Sequence, residues 1–366
     1  TESSGMKFGL FFVGEYAEFV FSSALFAGNS SGDPAYSLEF GGCGGQADSV
    51  DGPVYSGNNI DIVCDADITG PVVAAGVING GGGGSEGTKQ PIPDIPGMNY
   101  SVNNDVDVGK EFEAAWYASD DAGGKAWQVD ESSPAHLFRK NPDDRQTNLD
   151  STSKDDYFLE DPYEKVKTDS SSDGSDAYRI TLSGVGGEPG VSGNQKVYYI
   201  DGNLWIHNKK IYSFVLANSA GGASKVTFVV NGNIYFSDNI FYKNQVKDGI
   251  AFIAIKDEDE KDSGNIYFGD PTFGTLEQMD AFMYAENDFY DNNLSASGSA
   301  TVTVNGNMTA GNQVLIDRDV GGQHSKLTVN FDERIMTGAI TLPGLPETPA
   351  GAAPWSVVCW REVPVP

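Results

Sequence analysis

Two aspartates stand in matching places: Asp238 in "YFSDN" and Asp270 in "YFGDP" each follow an apolar, aromatic run directly. A pair of carboxylates across a sugar bond is the usual requirement of glycoside hydrolysis. Stacked coils would bring these two onto one face, with Asp291 nearby. Aspartate beside Asn or Pro after a strand also has a plainer use, because its carboxylate accepts hydrogen bonds from turn amides. The plainer use carries more weight, and no residue is assigned a catalytic role.

Oxygen-rich clusters raise a second chemistry. "DADITG" (Asp65, Asp67), "NNDVDVG" (Asp105, Asp107) and "KDEDEKD" (Asp257, Asp259) offer carboxylates of the kind that ligate Ca²⁺. In the middle cluster the glycine falls one place late for an EF-hand loop, and a charge run is also the composition of a solvated, self-repelling loop. Calcium is the one cofactor expected.

Other reactive constellations are missing. His136, His207 and His324 lie far apart, outside any nucleophile-elbow or metalloprotease pattern. The Gly runs are flanked by Ser, Thr and Pro, and none follows a strand and opens a helix as a phosphate cradle would. Trp205, Tyr284 and Tyr290 would serve a sugar-binding platform, or stack as a ladder along strands. No enzyme is expected.

Composition narrows the partners. Among 366 residues, 52 acidic against 23 basic give a net charge of -29, which repels nucleic acid and anionic membranes. The 45 glycines and 17 prolines demand many turns, while 39% hydrophobic residues, with 16 Tyr and 20 Phe, suit pleated surfaces. An all-β chain with long loops follows. No CxxC is present among Cys43, Cys64 and Cys359. Cys43 and Cys64 are close enough in sequence to close a short loop, as an oxidising extracellular setting permits; the other reading makes them small buried apolar side chains.

The elements that would position these groups are repetitive. Gly-Pro-Val at 52–54 recurs at 70–72, and a period near 20 marks stacked coils sharing one apolar column. The pattern is lost across 85–195, a Gly-, Pro- and Asp-rich insertion with a short helix predicted around "GKEFEAAWYASDD". It returns from 196, where Gly-Asn pairs at 202, 232, 264 and 306 sit between apolar runs. Asn-Gly between such runs signals a hairpin, and the same residues serve as solenoid corners; the 18-residue recurrence favours the solenoid. The expected fold is therefore a parallel β-helix in five stretches: an apolar segment 1–28, first coils 29–84, the insertion 85–195, the main solenoid 196–340 and a tail strand 341–366.

The ordered motifs "YYIDGNLWIHN", "TFVVNGNIYFSDNI", "GNIYFGDP", "AFMYAENDFYDNN", "VNGNMTAGNQV" and "WREVPVP", with "GPVYSG" earlier, resemble the repeat-rich ectodomain of bacterial type IV pilin-like (PilX-type) pilus-assembly proteins. The resemblance covers 29–84 and 196–366 and implies a β-solenoid displayed outside the cell behind an N-terminal assembly helix. Here the chain departs from the pattern. The apolar anchoring helix that the resemblance implies at the start is missing: the chain begins "TESSG", which reads as processed, tagged or a fragment, and residues 6–28, cut in two by Glu15 and Glu18, read as the helix's trailing end or as a segment that inserts into a neighbour.

The reading that results is a non-catalytic structural subunit of an extracellular, cell-surface filament, joining its own kind or other pilin-like subunits. Both ends offer assembly residues: Phe11, Phe12, Phe19 and Phe21 at one, and Trp355, Val357 and Trp360 at the other, any of which could add a strand to a neighbour or fold back on its own chain. The alternative from another class is a polysaccharide-binding or polysaccharide-cleaving β-helix using Asp238, Asp270 and Asp291. An adhesin of surface glycans shares the fold.

Overall fold

The computed structural model describes residues 23–28, 36–64, 66–74, 76–80, 89–91, 127–128, 138–140, 152–159, 166–167, 178–181, 195–206, 213–217, 225–236, 239–242, 244–269, 276–291, 301–316, 326–340 and 342. They form an all-β parallel solenoid of two sheets, one of 17 strands and one of 10.

Each coil has three faces. The first carries Gln195–Ile200, Lys225–Asn231 and Gly249–Ile255, paired parallel and in register. The second carries Asn203–Ile206, Ile234–Phe236 and Ile266–Phe268. The third carries Ser213–Ala217 and Asn239–Tyr242. Farther along the axis, Gln278–Ala285 and Val302–Ala310 each round the corner from third face to first as one strand. That is how two faces come to share the larger sheet.

Lys225–Asn231 pairs with its counterparts one coil before and after it, and not with Ile234–Phe236. The Asn-Gly between these two runs is therefore a solenoid corner, not a hairpin turn. One Gly-Asn pair departs from the sequence reading, because Gly306 lies inside a strand. A Cβ there would drive into the Ala281 carbonyl oxygen of the neighbouring coil, so only glycine lets the bent strand approach.

Burial explains the two kinds of strand sequence. In Leu327–Phe331, Leu327 and Val329 point inward and are buried while Asn330 faces water, the alternation of a half-buried strand. Gly249–Ile255 is buried throughout. Its Ile250, Phe252 and Ala254 enter the solenoid core, and its Ala251, Ile253 and Ile255 join a second core on the outside.

Ile335, Ile340 and Leu342 supply the cover for that second core, on a strap that follows the last strand. Arg334 fastens the strap, donating to the Asp248 carbonyl at 2.9 Å with its guanidinium 5.4 Å from the Tyr242 ring centroid. Gly249 lies beneath it, where a Cβ would meet Ile340 Cδ1 and Leu342 Cδ2 at 2.6 Å.

The order of coils along the axis is not the order of the chain. Beyond Val302–Ala310, the next rung is built from both ends of the described chain: residues 302–306 pair with Leu327–Phe331, and residues 308–310 pair with Leu25–Ala27. Ser49–Asp51 and Val54–Ser56 then stack on these two strands, and Asp67–Ile68 and Val72–Ala74 on those. The first coils thus continue the last ones, across a seam with no covalent link.

One inward column runs through it: Tyr198, Phe228, Phe252, Met283, Met308, Leu25, Val54 and Val72 are successive register partners. The 18-residue recurrence is the Val54 to Val72 step.

The stretches expected from sequence therefore regroup. Leu25–Ala27, in the apolar segment, is a buried strand of the first face. Within 85–195, Lys89–Pro91 extends one end of the larger sheet. At the other end of the solenoid, Trp127–Gln128 and Tyr178–Thr181, with the antiparallel strand Val166–Lys167, start the larger sheet, and Asp156–Leu159, with the antiparallel strand Phe138–Lys140, starts the smaller one. The helix predicted at 109–121 lies outside the described residues.

Candidate functional site

The corners from first face to second carry a ladder of Asn side chains that ends on an Asp. Asn203, Asn233, Asn265 and Asp288 follow one another up the axis, all buried. Asn203 Oδ1 accepts from the Asn233 N–H at 3.0 Å, Asn233 Oδ1 from the Asn265 N–H at 2.9 Å, and Asn265 Oδ1 from the Asp288 N–H at 3.1 Å. Asp288 Oδ1 closes the run on the Gln313 N–H at 3.0 Å.

Each corner also has a main-chain bond, such as Ile234 N–H to the Asn265 carbonyl at 2.9 Å, so every step is stapled twice. Asn59 repeats the device in the first coils, accepting from the Val77 N–H at 2.7 Å. These are the Gly-Asn pairs of the sequence at 202, 232 and 264. What composition did not reveal is that the asparagine side chain, not the turn conformation, does the joining.

A ladder of rings runs outside the second face. Phe158, Trp205, Tyr235, Tyr267 and Tyr290 stack with centroids 5.5, 4.0, 4.7 and 5.3 Å apart. Sugar binds to the open face of a ring, and here the faces of Trp205, Tyr235 and Tyr267 are taken by neighbours on both sides. Trp205 is 1% exposed and Tyr284, on the first face, 0%. Trp205 is thus a rung of the ladder and Tyr284 part of the second core, while half-buried Tyr290 ends the run against Tyr267.

The acidic loop at 256–262 is tied down. The Lys154 ammonium bridges Asp201, at 2.9 Å, and Asp257, and Asn231 Nδ2 donates to both carboxylates. Glu260 accepts from Ser153 at its backbone N–H and its hydroxyl. Burial pushes the Asp257 carboxyl up, but hydrogen bonds from Lys154 and from the Asp259 N–H outweigh it and hold the group below the usual carboxylate range. A protein cation therefore occupies the place next to Asp257. Asp259 and Asp67 are exposed.

Asp288 is held the other way. Burial raises its carboxyl above the ordinary range, against hydrogen bonds from the Tyr290 hydroxyl, Asn312 Nδ2 and the Gln313 N–H.

Two further carboxylates build structure. Asp280, fully buried, accepts from the Tyr242 N–H, Gln245 Nε2, Gln278 Nε2 and Asn305 Nδ2, at 2.9, 3.0, 2.9 and 2.7 Å. Asp48, 3% exposed, sits on the seam: Oδ2 accepts from the Gly41 N–H at 2.7 Å and Oδ1 from the Leu327 N–H at 2.8 Å, 279 residues away in sequence. Neither was singled out from sequence. Asp48 has no local signal at all, because its partner is distant in the chain.

Cys43 and Cys64 form a disulfide with Cα atoms 5.2 Å apart, fastening the loop after Tyr36–Phe40 to the end of Asn59–Ile62. Cys43 is exposed, unlike a small core residue.

Asp291 ends the strand Phe289–Asp291, half-buried and in register with Phe268. Asp238 and Asp270, the calcium candidates Asp65, Asp105 and Asp107, and the assembly residues Phe11, Phe12, Phe19, Phe21, Trp355, Val357 and Trp360 lie outside the described residues. Among the described residues no cluster of three or more His, Cys, Asp or Glu side chains has the arrangement of a metal site, and no helix is long and apolar enough to cross a membrane. No protein-family model, curated protein or solved structure matches the chain.

Proposed function

We propose that the protein is a structural subunit of an extracellular surface filament, without catalytic function. The observation that carries this reading is the longitudinal fastening of the solenoid. Buried Asn203, Asn233, Asn265 and Asp288 are each bonded to the next coil. A buried polar group left unpaired costs about 1–3 kcal/mol, so such a ladder resists any shift between coils. What it makes is a stiff rod. The Cys43–Cys64 disulfide fits an oxidising compartment outside the cytoplasm, and the net charge of -29 keeps rods apart from polyanions.

Negative-stain electron microscopy of the native material, with and without a calcium chelator, tests the reading. Filaments with a regular axial repeat are expected. Dispersed monomers in both conditions would overturn it. Loss of filaments on chelation alone would assign Ca²⁺ a role in assembly.

A further inference from the structure

The seam divides the solenoid into two self-fastened blocks. Residues 23–80, with the strand Lys89–Pro91, hold together through parallel pairing and the Cys43–Cys64 disulfide. Residues 195–342 hold together through the Asn ladder and the strap, whose partners Val229, Ile253, Phe282 and Tyr284 all lie in that same block. Among the described residues, what crosses the seam is non-covalent: strand pairing in register, the apolar column at Met308 and Leu25, Asp48 on the Leu327 N–H, and main-chain bonds such as Gly28 N–H to the Ala310 carbonyl and Met308 N–H to the Ala24 carbonyl, both 2.9 Å. Every one of these contacts can be made equally by the same block of a second copy.

We infer that the seam is an exchangeable interface, through which the block of residues 23–91 of one copy seats on Val302–Ala310 and Leu327–Phe331 of another, linking chains head to tail. It names the contact by which the proposed structural subunit would join its own kind, and to that extent rests on that reading. Three physical points support it.

First, contact energy is the same within and between chains, so only the tether opposes exchange. Second, the tether is long. Residue 91 and residue 127 lie at opposite ends of the larger sheet, about 43 Å apart at the usual spacing of about 4.8 Å per strand, whereas the roughly 35 residues joining them reach about 120 Å. Third, the effective concentration that favours the closed monomer falls as the chain joining the blocks lengthens. Copies crowded together then compete with it, and an open chain of exchanged subunits becomes accessible.

Asn330 and Asp51 are register partners across the seam, both exposed. The test uses full chains in a Cys359→Ser background: one carries Asp51→Cys, the other Asn330→Cys, each with its own tag, co-expressed and then oxidised. A closed monomer holds the two cysteines in different molecules and cannot join them. Exchange is expected to give a covalent dimer of the two tags. It should exceed by about tenfold that of a control pair, Thr69→Cys with Asn330→Cys, whose positions lie one coil too far apart for a disulfide.

A single chain with both substitutions shows that the pair can bridge, and Thr328→Cys with Ser49→Cys, the register pair two residues back along both strands, guards against a misfolded first variant. Monomers alone from both mixed pairs, or a doubly substituted chain that does not bridge at all, would overturn the inference. Filaments without inter-chain bridging would leave the structural reading standing and sink the seam. Bridged dimers without filaments would do the reverse.

Discussion

At the scale of single residues, Asp288 and Asn233 show why similar polar side chains on one ladder have different consequences. Asp288 is the position where a carboxylate replaces the asparagine of the coils before it. Its Oδ1 accepts from Asn312 and Gln313 and its Oδ2 from the Tyr290 hydroxyl. An asparagine would keep the first two bonds and donate to the tyrosine, as Asn233 Nδ2 does to Tyr235 at 3.4 Å.

Because burial raises the Asp288 carboxyl, ionising it costs more in the fold than in the unfolded chain. That cost is complete above the raised value and is relieved as pH falls through it toward the ordinary 3.8. Asp288→Asn should therefore raise stability at pH 7, with an advantage that fades as pH falls toward 3.8, measured by thermal unfolding across that range. Asp257 acts with the opposite sign. Its lowered carboxyl contributes stability in full above 3.8, which is lost as pH falls through the value in the fold. An Asp288→Asn variant less stable than the parent at pH 7 would mean that the carboxylate itself is required there.

At the scale of elements, the corner between first and second faces is the unit that repeats. Asn233 is bonded on both sides: its N–H to Asn203 Oδ1 and its Oδ1 to the Asn265 N–H, with Nδ2 on the Asp262 carbonyl at 2.7 Å. Truncation to alanine leaves the buried Asn265 N–H without its partner, while the Asp262 carbonyl keeps Asn265 Nδ2 at 3.0 Å, and should cost about 1–3 kcal/mol in denaturant unfolding. Amide exchange should quicken first at Asn265. A cost below about 0.5 kcal/mol, the range of ordinary surface substitutions, would show the ladder to be decoration on the main-chain bonds.

At the scale of the whole molecule, the two blocks should respond separately to an insult confined to one. Reducing Cys43–Cys64, which spans 21 residues and lies wholly on one side of the seam, should remove about 3 kcal/mol from the block of first coils. Hydrogen exchange is expected to quicken in Ser49–Asp51, Val54–Ser56 and Asn59–Ile62 and to stay unchanged in Lys225–Asn231 and Gly249–Ile255. Uniform quickening along the axis would show that the solenoid opens as one cooperative body and that the seam is no weaker than any other step.

Sequence alone determined what depends on neighbours in the chain. Apolar runs at strand spacing, Gly-Pro-Val repeating after 18 residues and Gly-Asn at corners 202, 232 and 264 were sufficient for parallel stacked coils, because each reports a local backbone constraint repeated at a fixed interval. The pair Cys43 and Cys64 was legible for the same reason of nearness. Local signals also misled where two faces merged. Asn305–Gly306 has the composition of a corner and lies within Val302–Ala310, since glycine answers equally to a turn and to the close approach of the Ala281 carbonyl.

Only the tertiary structure decided that Leu25–Ala27 follows Val302–Ala310 in space, that Asp48 holds Leu327, that Lys154 lies between Asp201 and Asp257, and that Trp205 is a rung instead of a platform. The physical reason is common to all four. Strand pairing and side-chain bonds act through space over a few ångströms, and a solenoid closed from both ends of its chain brings together residues whose separation in sequence carries no trace of the contact.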